Sequence, residues 1–180
     1  MGKEIRDFLK EVISIVVMAF ILAIILRTFL GEGRVIPSGS MLPTIHIKDK
    51  VWVDKIIYRF KDPARGDIVV FTPPEELGQK GPFIKRVIGL PGETVEVRDG
   101  KVFINGVPLQ EPYIAEPPMY EYGPVKVPKG AFFVMGDNRN YSLDSHMWNS
   151  WLRQDHIWGK ALLIYWPPNR IKLLERGVST

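Results

Sequence analysis

Cysteine is absent from the 180-residue chain, and histidine occurs only three times. The lack of cysteine excludes a disulfide scaffold, a cysteine nucleophile and thiolate metal sites. The three histidines, His46, His146 and His156, have neither the helical nor the hairpin spacing of metal ligands. We therefore expect no metal centre, and nothing in the sequence implies an organic cofactor.

A strong excess of one charge is also missing. The chain has 24 Lys and Arg against 20 Asp and Glu, and the basic residues are scattered. We therefore expect no nucleic-acid partner. Hydrophobic residues make up 46% of the chain, which excludes wholesale disorder. The 15 prolines and 16 glycines favour short strands and turns over a helical bundle.

The N-terminal part contains one long apolar stretch. Residues 12–26 carry no charge, and extending the stretch to Leu30 gives nineteen residues. At about 1.5 Å per residue they span ~28 Å, close to the ~30 Å hydrocarbon thickness of a bilayer. We therefore predict a cytoplasmic tail over residues 1–10, a single transmembrane helix over 11–30 and one folded domain over 31–180.

The residues before the apolar stretch bear on its orientation. Lys3, Arg6 and Lys10 favour a cytoplasmic N-terminus, which puts the folded domain on the outer face of the plasma membrane. The lipid bilayer is then a partner of the chain. The same basic start also fits a cleaved signal peptide, although the apolar region of such peptides is usually shorter.

After residue 30, short runs of β-branched and aromatic residues alternate with turn signals. The runs predict strands over 50–58, 67–71, 83–88, 94–97, 102–104, 131–135 and 161–166. Asp99-Gly100 lies between two runs and predicts a tight hairpin, since both residues tolerate a positive φ. Residues 105–130 hold six prolines and predict an irregular surface segment. The predicted fold class is mainly β, a largely antiparallel, barrel-like domain after the N-terminal helix.

Aromatic residues are unevenly distributed. Four of the five tryptophans lie in the last 33 residues, at positions 148, 151, 158 and 166. Such a cluster indicates either core packing or an aromatic rim at the bilayer interface.

The first candidate for chemistry follows the apolar stretch directly. It is Pro37-Ser38-Gly39-Ser40-Met41-Leu42-Pro43-Thr44. A nucleophilic serine needs an exposed hydroxyl, a nearby base and two donors for the oxyanion. Gly39 would let a substrate approach the backbone closely, and the Ser40 N–H could be one donor. Taken alone, Ser-Gly-Ser is far more often a polar turn.

The base for such a serine can be a histidine or a lysine. Asp144 and His146 are two residues apart, so a Ser-His-Asp triad has to be considered. Lys85 is the better candidate, because strand alternation places it on one face with Phe83 and Val87. Burial among apolar neighbours lowers the pKa of a lysine from about 10.4, and a value near 7 costs ~4–5 kcal/mol.

Four segments, in this order, resemble type I signal peptidase, the membrane-anchored Ser/Lys peptidase that removes signal peptides from exported proteins. They cover residues 37–44, 65–71, 84–93 and 136–145. The resemblance extends over nearly the whole chain. It implies an antiparallel β fold with its catalytic face against the membrane and signal-peptide-bearing preproteins as substrates. We further expect a monomeric enzyme without a cofactor.

The resemblance also implies roles for individual residues. By position, Ser40 resembles the nucleophile and Lys85 the general base. Ser38 resembles a side-chain donor to the oxyanion, and Ser142 resembles the residue that orients the lysine amine. Asp144 belongs to the supporting residues around that serine.

Two further residues resemble substrate contacts, and one position departs from the family pattern. Ile36 and Ile84 align with residues that line the small pockets for Ala-x-Ala side chains. After Asp144-Ser145 the family has an arginine, an aromatic pair and a glycine, whereas this chain has His146-Met147-Trp148-Asn149. His146 can support Asp144 as a charged imidazolium or as a neutral N–H donor.

Two other function classes share parts of this pattern. Self-cleaving stress-response repressors use the same Ser/Lys chemistry, but they carry a DNA-binding helix-turn-helix in place of a membrane anchor. A catalytically idle, membrane-tethered module that holds exported chains would require neither Ser40 nor Lys85. Trimming of a precursor at one site by the purified protein in detergent separates these alternatives from the expected peptidase.

Overall fold

A computed structural model describes residues 2–29 and 31–177, with the side chains of 5–24 and 31–177. The N-terminal residues form one helix, α1, from Gly2 to Phe29. Its side chains from residue 5 to 24 are exposed. Within the described residues, no helix combines the length and the apolar character that crossing a membrane requires.

The rest of the described chain is built from twelve strands. They are β1 (Gly31–Val35), β2 (Lys50–Asp54), β3 (Ile68–Phe71), β4 (Phe83–Gly89), β5 (Thr94–Arg98), β6 (Lys101–Ile104), β7 (Val107–Pro108), β8 (Tyr122–Lys126), β9 (Ala131–Met135), β10 (Leu152–Arg153), β11 (Ile157–Trp166) and β12 (Lys172–Leu173). Short 3₁₀ turns connect several of them.

The strands form two sheets. The larger sheet has the order β1-β2-β11-β3-β4-β9-β10, with β12 added to β11, and the smaller has the order β7-β6-β5-β8. Neighbouring strands in both sheets are antiparallel. The prediction of a mainly β, antiparallel domain is therefore confirmed.

Strand β4 is an interior strand of the larger sheet, and apolar side chains cover both of its faces. Ile84 belongs to one buried cluster with Ile36, Met41 and residues of β2 and β11. Val87 belongs to a second cluster with side chains of β3 and β9. A third cluster, which includes Ile88, joins β9 to the smaller sheet. Polar groups on β4 are thus held in a dry environment between three apolar clusters.

The prediction of a hairpin at Asp99-Gly100 is confirmed, whereas the prediction for the proline-rich segment is only partly correct. Asp99 and Gly100 adopt φ values of 48° and 69° and connect β5 to β6, as predicted. The prediction of an irregular segment over 105–130 is wrong in part, because β7 and β8 lie within it. Strand β8 contains Pro124 and lies at the edge of the smaller sheet, where a proline removes no ladder bond from a second neighbour.

The tryptophans of the C-terminal part divide between the two interpretations. Trp148 is buried against Phe71, and Trp151 and Trp158 pack against buried clusters. Trp166 is half exposed, with Lys50 above its ring. Core packing therefore accounts for three of the four residues.

Candidate active site

Ser40 and Lys85 lie in contact. Ser40 is in the loop between β1 and β2, and Lys85 is in the middle of β4. The Lys85 amine donates to Ser40 Oγ over 2.8 Å and to the carbonyl of Ile84 over 3.0 Å. Only 7% of Ser40 and 4% of Lys85 is exposed. The structure thus places a hydroxyl and an amine at hydrogen-bond distance in a site that largely excludes water.

The environment of Lys85 changes its titration. Burial lowers the pKa of its amine to about 8, while the carboxylates of Asp144 and Asp137 act in the opposite direction. The Phe83 ring lies 5.2 Å from the amine, on the strand face that alternation predicts. At pH 7 about a tenth of such an amine is neutral, compared with ~1 in 2,500 for an unperturbed lysine. The pKa falls less far than burial alone would give, because two carboxylates remain nearby.

The loop that carries Ser40 is held by its own turns and by a neighbouring segment. The side chains of Met41 and Ile45 are fully buried beneath it. Asn138 donates from its backbone N–H to the Ser40 carbonyl and from Nδ2 to the Gly39 carbonyl, both over 3.1 Å. Asn138 therefore fixes the backbone on both sides of the peptide bond that precedes Ser40.

A buried ion pair lies behind this loop. Arg86 donates from Nε and Nη2 to the two carboxylate oxygens of Asp137 over 2.8 and 2.7 Å. Thr44 also donates to Asp137. Sequence reasoning assigned no role to Asn138 or to this pair. The only signal was a charged residue inside the apolar run of β4 and the Gly136-to-Asn140 segment after β9.

Ser142 lies beside the site without a bond to the amine. It is buried, and its hydroxyl has no hydrogen-bond partner among the described residues. Gly136 packs closely between its side chain and Ser40. A Cβ on Gly136 would come within 2.4 Å of the Ser40 carbonyl oxygen and within 2.6 Å of Ser142 Cβ. The structure thus brings Ser142 next to the Ser40 backbone, while the predicted contact to Lys85 is not made.

Asp144 and His146 form a supporting pair. Asp144 Oδ2 accepts the N–H of Gly136 over 2.8 Å, and its Oδ1 lies 2.6 Å from His146 Nδ1. Tyr120 stacks on the imidazole with ring centroids 4.0 Å apart. The predicted contact between His146 and Asp144 is therefore present. The charged imidazole and the neutral tautomer protonated at Nδ1 can both make it.

Two adjoining clefts open beside Ser40. The first, of about 480 Å³, is lined by Ser38, Ser40, Lys85 and residues around them. The second, of about 440 Å³, is lined by Ile36 and Ile84 among others. Ile84 also lines the first cleft, so the two are neighbours.

Other candidates from the sequence do not join this site. Among residues 5–24 and 31–177, no group of three His, Asp or Glu side chains could hold a metal ion. His146 contacts Asp144, but the hydrogen-bond partner of Ser40 is Lys85, so the geometry favours a Ser/Lys pair over a histidine triad.

Comparisons with known proteins agree on one family. The family model described as signal peptidase, peptidase S26, matches residues 9–166. A signal peptidase I of Leptolyngbya laminosa is 53% identical over 168 residues, which cover 91% of this chain and 82% of that protein. Signal peptidase I T of Bacillus subtilis is 36% identical, covering 87% of this chain and 85% of that protein.

Solved structures also match part of the chain. One of them is a signal peptidase I of Enterococcus faecalis V583, with 36% identity and a TM-score of 0.49. The match covers 56% of this chain and 97% of that chain.

Proposed function

Because the chain belongs to the signal peptidase family, peptidase S26, we propose that it removes signal peptides from preproteins with Ser40 as nucleophile and Lys85 as general base. The family identifies a serine endopeptidase. The observation that carries the residue assignment is the 2.8 Å hydrogen bond between the buried Lys85 amine and Ser40 Oγ.

The contacts of the site suit an acyl-enzyme mechanism. The neutral Lys85 amine accepts the proton of Ser40 Oγ as the hydroxyl attacks the carbonyl before the scissile bond. The resulting ammonium then gives its proton to the departing amine of the mature chain. A water molecule, deprotonated by the same lysine, hydrolyses the ester on Ser40. No step requires a histidine or a metal.

The developing oxyanion needs donors near Ser40. The backbone N–H of Ser40 has no acceptor among the described residues, and the exposed Ser38 side chain lines the same cleft. We assign these two groups to the oxyanion hole. Each would donate a hydrogen bond to the oxyanion and so stabilise a negative charge that develops only in the transition state.

We expect Ser38→Ala to slow turnover by ~10²-fold or more while substrate affinity stays similar, because a donor to the oxyanion acts on the transition state. Steady-state kinetics with a signal-peptide substrate measure both quantities. Ser38→Thr is the matched variant, since it keeps the hydroxyl. A Ser38→Ala enzyme with the rate of the parent would show that the hole is built from other groups.

We expect the rate to rise with pH through the pKa of Lys85, about 8, because only the neutral amine can accept the serine proton. The sign follows from burial. A lysine with a lowered pKa gains its neutral form on the alkaline side of that value. The measurement is kcat/KM against pH, which reports groups of the free enzyme. A profile without an inflection between about pH 7 and pH 9 would contradict Lys85 as the base.

Substrate selection follows from the clefts. Ile36 and Ile84 are buried and line the second cleft, and Ile84 also borders the first. Their branched side chains limit the depth available to a substrate. We assign these residues to the pockets that accept small side chains before the cleavage site.

We assign a supporting role to the three polar residues beside the dyad. Asp144 holds the Gly136 N–H and His146, and Gly136 packs against Ser142 and the Ser40 carbonyl. Asp144 and His146 thus maintain the wall of the site.

Membrane attachment belongs to the same proposal. The side chains of α1 from Val12 to Ile24 are exposed and almost wholly apolar, a surface that lipid would cover. Residues 12–26 contain no charge, and basic residues precede them. We infer a single-pass plasma-membrane protein, a monomer with its N-terminus in the cytoplasm. Protease protection of the domain in sealed vesicles reports that orientation.

A further inference from the structure

The C-terminal segment of residues 172–177, which we call the strap, is tied to the core. Strand β12 pairs with β11, and the N–H of Leu174 donates to the Leu162 carbonyl over 2.8 Å. Leu174 is buried in the cluster that contains Ile36 and Met41. These two residues flank the serine loop. The strap therefore belongs to the packed domain and lies behind the catalytic loop.

Beyond Leu174, the strap contacts the buried Arg86. The carbonyls of Glu175 and Arg176 accept from Arg86 Nη1 over 3.0 and 2.9 Å. The Gly66 carbonyl accepts from the same nitrogen over 2.9 Å. Two of the three acceptors of this nitrogen thus come from the strap. The strap is also fixed by its own arginine, since Arg176 Nε donates to Asp67 over 2.7 Å.

Arg86 connects the strap to the segment that holds the loop of Ser40. Its other two donors hold both carboxylate oxygens of Asp137. The next residue, Asn138, binds the carbonyls of Gly39 and Ser40. The links from the strap to the serine loop are hydrogen bonds, apart from the peptide bond that joins Asp137 to Asn138. Arg86 also follows Lys85 directly in β4, so it is the chain neighbour of one member of the proposed dyad.

We propose that the strap is a positioning element of the active site, which acts through Arg86, Asp137 and Asn138 to hold the backbone of Gly39 and Ser40. This inference rests on the proposed role of Ser40 as nucleophile. It assigns to residues 175 and 176 an effect on the rate of the chemical step, although neither touches the substrate.

The physical reason lies in the burial of the guanidinium. Only 1% of Arg86 is exposed, and Asp137 is fully buried. Without the strap, two N–H contacts of a buried cation lose their acceptors and water reaches the ion pair. Arg86 then no longer holds the Asp137 carboxylate in one position. A displacement of ~1 Å at the reacting groups can lower a rate by ~10²-fold.

Two truncations distinguish the effect of losing the strap residues after Leu174 from the effect of losing only the residues after Gly177. A chain that ends after Leu174 loses both carbonyls and Arg176 but keeps β12 and the buried leucine. A chain that ends after Gly177 keeps every described contact and is the matched control. We expect the first to show a kcat lower by ~10- to 10²-fold with KM within a few-fold of the parent, and the control to match the parent.

A double-variant measurement tests the route of the effect. In an Asp137→Ala background the coupling to the loop is already broken, so truncation after Leu174 should lower kcat by much less than in the parent. Fully additive losses would overturn the proposed route. A truncated chain with a lower melting temperature but the parent's kcat would overturn the positioning role itself.

A substitution within the strap covers the case in which the shorter chain does not fold. Gly177 has a φ of 65°, and a Cβ there would lie 2.8 Å from Tyr113 Cδ1, so Gly177→Val displaces the strap without shortening it. We expect kcat to fall in this variant as well, and an unchanged kcat overturns the inference. Ser40→Ala distinguishes the two proposals: an active Ser40→Ala enzyme refutes the nucleophile assignment, whereas an inactive one together with a fully active truncation refutes the strap alone.

Discussion

We expect Ser40→Ala and Lys85→Met each to abolish precursor processing, with rates lower by more than ~10³-fold, while the domain remains folded. The hydroxyl and the amine act as one unit across a 2.8 Å contact, so either loss removes the whole step. The double variant should be no slower than the slower single variant. Lys85→Arg should be inactive too, since a guanidinium keeps its proton at any working pH.

The measurement is the appearance of mature product from a purified preprotein, with circular dichroism as a check of folding. Two substitutions outside the site serve as controls. Ser150→Ala removes a hydroxyl that is buried and unpartnered in the described structure, and Lys101→Met removes an exposed strand lysine. Both should process at the parent rate. A folded Ser40→Ala or Lys85→Met enzyme that keeps more than a few per cent of the activity would refute the dyad.

We expect Gly136→Ala to lower turnover by ~10²-fold or more and to destabilise the domain by ~1–3 kcal/mol. A Cβ at this position would lie 2.4 Å from the Ser40 carbonyl oxygen and 2.6 Å from Ser142 Cβ, closer than van der Waals contact permits. One of the two serines must therefore move. The Asp144 carboxylate holds the Gly136 N–H, which prevents the glycine from moving instead.

Kinetics and urea unfolding together check this expectation. Gly92→Ala is the control, because a Cβ at Gly92 meets nothing within 4 Å, while its φ of 86° strains an alanine. That variant should lose stability of the order of ~1–2 kcal/mol and keep its kcat. If both alanine variants lose stability and neither loses turnover, the packing at Gly136 has no part in positioning Ser40.

The local parts of the site were predictable from the sequence. Strand alternation placed Lys85 beside Phe83, and the structure has the amine 5.2 Å from that ring. The hairpin at Asp99-Gly100 followed from residues that accept positive φ. Both inferences use neighbours within one strand or one turn, where the period of the chain fixes the geometry.

The long-range parts were not predictable in the same way. Nothing in the composition of the strands shows that Arg86 would meet Asp137, or that Asn138 would bind the serine loop. These contacts depend on how β4 and β9 pair, and the register of distant strands is set by the whole core. Strand β1 was missed because Gly31 and Gly33 weaken the strand signal, although β2 pairs with it along its full length.

The order of strands in the larger sheet also has a consequence for biosynthesis. Strand β11 lies between β2 and β3, so that Val53 pairs with Ala161 and Val69 with Lys160. The ribosome delivers β2 and β3 long before their shared neighbour, and until then each exposes an unpaired edge. The larger sheet therefore cannot be completed until β11 has been synthesised. We therefore expect peptidase activity to appear only late in folding, after β11 has paired with both β2 and β3.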